Sequence, residues 1–174
     1  SDWKQWEKSI GHYKKAISYS EGGAETAAYN LTIALRQYRA YDEALSLVDT
    51  YLERGKDRTQ WLLQLALIER DAGRPERAER ILATVQGKST KVLVLWAEVL
   101  SQLGRYKEAV QRFSQVVEGT EDRARALYGL GKAHMGLGDS LRAREAFGRF
   151  LSVWQHRDTR REQVLDWVVR LEVR

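Results

Sequence analysis

The residues with the strongest claim to catalytic or ligating chemistry are His12, His134 and His156, together with the segment Gly129-Leu130-Gly131-Lys132-Ala133. A metal site or a nucleophile–base pair needs convergent partners. The three histidines are far apart in sequence, stand near no acidic cluster at ligand spacing and suggest no Ser-His-Asp grouping. The chain has no cysteine, which removes disulfides and thiolate metal ligands and fits a reducing or an oxidising compartment equally. The glycine segment lacks the Gly-x-x-x-x-Gly-Lys-Ser/Thr spacing of a phosphate loop and follows no predicted strand. The expectation is a non-enzyme with no catalytic residue, no metal and no cofactor, and with His134 packed inside the fold.

Chemistry of the binding kind is better represented. The 29 basic residues exceed the 24 acidic ones by a net charge of +5, but the two signs are interspersed. Without a single-face Lys/Arg cluster, nucleic acid is a disfavoured partner. The longest apolar stretch, Val92 to Ala97, is far too short to cross a bilayer, and Ser1-Asp2-Trp3 opens no secretory leader pattern. Of the six tryptophans, Trp96 and Trp167 fall on or beside apolar stripes and are expected in the core, while Trp61 and Trp154 flank helix ends and are expected to pack between repeats. Trp3 and Trp6 lie on a helix outside the regular pattern; they either cap the first repeat or, with Tyr13, form an exposed contact that could pair two chains.

The elements that position these residues are set by four alanines. Ala44, Ala78, Ala109 and Ala143 are spaced 34, 31 and 34 residues apart, each in a similar local context: a break, two or three polar residues, Ala, then an apolar run. A fixed period of this length marks a stacked repeat array. One proline in the whole chain and no Val/Ile/Thr alternation make it all-helical. Apolar residues at i, i+3, i+4 and i+7 place two helices, A and B, in each repeat, over 25–57, 59–88, 90–118 and 124–157. A further helix precedes them over 2–19, and a capping helix with a polar outer face follows over 159–173. Gly73, Gly104 and Gly138 fall between the two helices of a repeat, where a left-handed cap is needed. Pro75 suits a first helical turn, and Thr59, Thr90 and Thr120 are predicted N-caps. The alanines mark the closest crossing of the paired helices, where a larger side chain costs about 1–3 kcal/mol by overpacking.

These residues resemble the tetratricopeptide repeat (TPR) family. The fourth repeat carries its pattern as Leu127, Leu130-Gly131, His134, Gly138, Ala143 and Phe147. The third carries it as Leu93, Trp96-Ala97, Leu100, Gly104, Tyr106, Ala109 and Phe113. The second is three residues short, the first has Arg39 where glycine is usual, and the family's closing proline is missing throughout. The resemblance implies a right-handed superhelix of stacked antiparallel helix pairs, an α-solenoid.

It also implies that the A helix of each repeat lines a concave face. Carried over by register, the candidate partner-binding residues are Tyr29, Ile33 and Arg36, then Leu63, Leu67 and Arg70, then Lys91 and Val94, then Arg125, Tyr128 and Lys132. Tyr29 and Ile33 stand where chaperone-binding members carry a carboxylate clamp, so that clamp is absent. The implied function is a scaffold or adaptor that holds a protein or peptide segment in its groove, within a larger assembly. The alternative is a bacterial cell-envelope scaffold for pilus or polysaccharide export, on the periplasmic side and in contact with an acidic polymer.

Overall fold

The computed structural model describes residues 2–19, 24–54, 57–87, 89–116, 122–155 and 158–172, with the backbone alone for 2–6 and 172. The described residues form ten α-helices and no strand. They are α1 (Asp2–Tyr19), α2 (Ala24–Gln37), α3 (Tyr41–Arg54), α4 (Arg58–Asp71), α5 (Pro75–Thr84), α6 (Thr90–Gln102), α7 (Tyr106–Ser114), α8 (Arg123–Gly136), α9 (Ser140–Val153) and α10 (Thr159–Glu172).

Four of the turns are built alike. α2, α4, α6 and α8, the A helices, each end on a residue in the left-handed region: Arg39 at φ 64°, Gly73 at 77°, Gly104 at 72° and Gly138 at 73°. The next residue donates its N–H back to a carbonyl five positions earlier: Ala40 to Leu35, Arg74 to Glu69, Arg105 to Leu100 and Asp139 to His134, all at 2.9 Å. This closes the last turn and satisfies carbonyls that a helix end leaves open. Glycine adopts that φ without a Cβ penalty; Arg39 adopts it at a cost of about 1–2 kcal/mol. Each turn folds the B helix α3, α5, α7 or α9 back on its predecessor.

The four alanines lie at those crossings with 0% exposure. The position nine residues before each is also buried, and is Leu35, Glu69, Leu100 and His134 in turn. Two repeats thus hold a polar group where the other two hold leucine. Glu69 accepts a short hydrogen bond from the Arg74 guanidinium, with Arg77 at 3.9 Å.

The helices fall into two compact units, Ser1–Gln86 and Gly87–Arg174. In the first, α2 also touches α4, and the core gathers Leu31, Leu35, Ala44, Val48, Trp61 and Ile68, with Ile10, Tyr13 and Ile17 of α1 packed against it. In the second, α6 touches α8, and Leu127, Ala143, Phe147 and Phe150 meet Val164 of α10.

Three expectations are corrected. The N-caps are Asp57 and Ser89, not Thr59 and Thr90: Asp57 Oδ1 accepts from the Gln60 N–H at 3.0 Å, and Ser89 Oγ from the Val92 N–H at 3.4 Å. Both threonines are already helical, whereas a cap needs non-helical backbone. Thr120 lies outside the described residues. The outer face of α10 is not purely polar, because Leu165 is 45% and Val169 60% exposed.

Candidate functional site

In the first unit, neighbouring α2 and α4 carry the candidate residues. Tyr29 and Ile33 on α2 and Leu63 and Leu67 on α4 are all half-buried. Trp61, fully buried, fixes this face. Its ring meets the Tyr29 ring edge-on at 5.8 Å and stacks on Tyr51 at 4.9 Å, while its indole N–H donates to Glu25 at 2.9 Å. Arg70 and Arg36 converge on Asp71, with Arg70 Nη2 at 2.8 Å from Oδ1 and Arg36 Nε at 3.7 Å from Oδ2. Part of the positive charge assigned to this face is therefore spent on the chain's own carboxylate.

In the second unit, Lys91 is exposed at the start of α6, but Val94 has 0% exposure and cannot touch a partner. Its assignment to the binding face is corrected. Residues 92–97 are buried without interruption, as befits a helix that is hydrophobic all round. Arg125 is held by Glu98 through two bonds of 2.6 Å. Tyr128 is half-buried by α9 and α10. Its ring lies 5.6 Å from Phe150 and 6.1 Å from Trp167, and its hydroxyl donates to Gln163 Oε1 at 3.3 Å. Burial pushes its phenol above the ordinary value. Lys132 Nζ sits 5.4 Å from the Tyr128 ring centre, and the Arg160 guanidinium is 5.4 Å from both the Tyr128 and the Trp154 rings.

The chemistry-bearing motifs resolve into packing. Gly129 faces the Phe113 ring and Gly131 the Phe147 ring so closely that neither has space for a Cβ. Gly136 meets the Tyr106 ring in the same way, a Cβ there falling 2.7 Å from it. The glycines of α8 thus let it nest between the aromatics of α7 and α9. His134 is 7% exposed, and its Nδ1 has no hydrogen-bond partner, with Asp139 Oδ2 3.9 Å away. Burial pushes its pKa below the usual imidazole range. His12 is exposed on α1, and His156 lies outside the described residues. Among the described residues no group of three His, Asp or Glu is placed to hold a metal ion, and no helix is long and apolar enough to cross a membrane.

The recurrent turn, the buried alanine and, within each unit, the packing of one A helix on the next (α2 on α4, α6 on α8) fit one family. The model of the tetratricopeptide repeat family matches residues 94–157, and that of anaphase-promoting complex, cyclosome, subunit 3 matches residues 37–116. The chain is a TPR protein. No curated protein matches its sequence significantly. Several solved structures share the fold. A TPR protein from Parabacteroides merdae is 19% identical with a TM-score of 0.71, over 99% of this chain and 72% of its own. YrrB, described as a TPR protein with an unusual peptide-binding site, is 19% identical with a TM-score of 0.66, over 95% of this chain and 86% of its own. The APC/C hetero-tetramer Cut9–Hcn1 is 15% identical with a TM-score of 0.69, over 94% of this chain and 31% of the matched chain.

Sequence reasoning missed Arg160 and Gln163, the α10 residues that reach Tyr128. The available signal was register: α10 follows α9 as each A helix follows a B helix, so its early residues adjoin the preceding A-helix face. A cleft of about 370 Å³ between α1, α2 and α3, lined by Ile17, Leu31, Leu35 and Leu47 and bridged by Lys14–Glu43 at 3.0 Å, was also not anticipated.

Proposed function

We propose that this TPR protein is a non-catalytic scaffold that holds a segment of a partner protein on its A-helix faces. The observation that carries this reading is the half-buried apolar surface of Tyr29, Ile33, Leu63 and Leu67, on two helices that touch, beside Arg36 and Arg70. Apolar surface flanked by arginine is the composition of binding anchors. In the second unit Tyr128, Lys132, Arg125 and Lys91 serve the same purpose. That YrrB is described as having a peptide-binding site, and that Cut9–Hcn1 is a hetero-tetramer, supports the reading by analogy of fold. The test is to change Leu67 and Tyr128 to Ala separately and measure affinity for a purified partner. Weaker binding with an unchanged helical spectrum supports the assignment, and unchanged affinity in both variants removes it.

A second reading is a bacterial envelope scaffold that contacts an acidic polysaccharide, favoured by the net charge of +5. Such a complex loses affinity steeply as salt rises, whereas apolar docking does not. Pairing of two chains through α1 is a separate proposal. Tyr13 is already packed against its own core, and the side chains of Trp3 and Trp6 lie outside the described residues. A monomer by light scattering at high concentration would remove it.

A further inference from the structure

We infer that Lys132, Tyr128 and Arg160 form an anchor for a carboxylate of an acidic peptide segment, with α10 supplying half of the site. The inference rests on the scaffold reading above and names the chemistry of the partner.

Three other cations of this unit are used. Arg125 is bonded twice to Glu98, Arg170 pairs with Asp166, and Arg161 donates to the carbonyls of Leu151 and Trp154 at 3.1 and 2.7 Å. Asp158, one of the two carboxylates that stand two residues from Arg160, accepts from the Trp154 indole at 3.2 Å and from the Arg161 N–H at 3.0 Å. Lys132 and Arg160 form no ion pair among the described residues, although both are exposed and both border one aromatic ring. Two cations that border one ring, each 5.4 Å from its centre, and form no ion pair favour an anion beside that ring.

The site is also preorganised. Arg160 lies against two rings, and those rings are fixed in turn, Trp154 stacking on Phe150 at 5.7 Å and Tyr128 meeting Phe150 at 5.6 Å. A guanidinium stacked on aromatic faces still presents its edge N–H donors, and less rotamer freedom is lost when they bind. Tyr128 spends its hydroxyl on Gln163 Oε1, which leaves the Gln163 amide N–H₂ as a further donor. The half-buried setting of Tyr128, reflected in its raised pKa, strengthens each of these contacts.

A peptide fits better than a uniform polyanion. Exposed Glu162 and Asp166 stand on the same helix as Arg160 and would repel a continuous run of negative charge. A peptide can place one carboxylate at the anchor and apolar side chains beside it.

The experiment uses the full chain and a short fluorescein-labelled peptide of alternating Leu and Glu, with its Leu/Gln counterpart and a labelled oligothymidine as controls. Fluorescence anisotropy reads affinity. Removing one charge-assisted hydrogen bond should weaken binding of the acidic peptide roughly tenfold. Lys132→Gln and Arg160→Gln should therefore each reduce binding, the double variant more, and Lys107→Gln, at an exposed position of the B helix α7, little. A thermal melt checks that all variants remain folded, and Arg160→Lys, which keeps charge but not the planar fork, should recover only part of the affinity. No binding of the acidic peptide to the wild type, equal binding by the double variant, or equal binding of the Leu/Gln peptide or oligothymidine would overturn the anchor. If Leu67→Ala weakens a purified partner while the double variant does not, the scaffold reading stands and the anchor falls. If only the double variant weakens the acidic peptide, the anchor stands and the first-unit assignment falls.

Discussion

Replacing Gly131 and Gly148 by alanine should move stability in opposite directions, although both glycines are inside helices of the same repeat. A helical glycine costs about 1 kcal/mol relative to alanine. Gly148 on α9 is exposed, with open space around the position of a Cβ, so Gly148→Ala should gain close to that full amount. At Gly131 a Cβ would lie within 2.7 Å of three carbons of the Phe147 ring. Phe147 is itself 0% exposed, so its rigid ring has nowhere to yield. Overpacking of this kind costs about 1–3 kcal/mol. After subtracting the propensity gain, Gly131→Ala should lose up to about 2 kcal/mol, which puts the two variants about 1–3 kcal/mol apart. Urea unfolding followed by far-ultraviolet circular dichroism reads the difference, provided the slopes agree. If Gly131→Ala is stabilised as much as Gly148→Ala, the ring does not close over α8 and the packing described here is wrong.

Three further outcomes follow from the same structure. Arg39→Gly relieves the left-handed residue that the other three turns assign to glycine, and should raise stability by about 1 kcal/mol in urea unfolding. His134 has a depressed pKa in the folded chain, so the unfolded chain binds more protons below the ordinary value of about 6.5. Stability should be complete above that pH and fall as pH drops toward the folded value, with a slope no steeper than about 1.4 kcal/mol per pH unit for one group. Asp139, Arg142 and Glu145 also act on this histidine, so the check is that His134→Phe flattens the slope relative to wild type. Glu69→Leu should cost less than Arg74→Leu: the first leaves a guanidinium that water can reach, the second leaves a carboxylate whose side chain is only 8% exposed.

The fold was legible because its signals are local and repeated. Alanines at one register, glycines at the turns and an apolar stripe on each helix are each imposed by backbone geometry or by the closeness of a crossing. The site was legible only in part. Tyr29, Leu63 and Leu67 are half-buried on A helices, but register could not show that Val94 sits on a helix buried all round, although the unbroken run from Val92 to Ala97 was the available warning. Nor could it show which cations are spent internally. Arg36 and Arg70 go to Asp71 and Arg125 goes to Glu98 through side-chain reach, which no spacing encodes. Arg160 was missed because α10 was read as a cap, whereas its early residues face Tyr128 of the preceding A helix.

Hydrogen–deuterium exchange of the full chain with and without a saturating purified partner tests the scaffold reading most directly. The expected result is added protection in α2, α4 and α8 with little change in α3, α5, α7 and α9. Protection confined to the B helices, or none at a concentration that saturates binding, would contradict it.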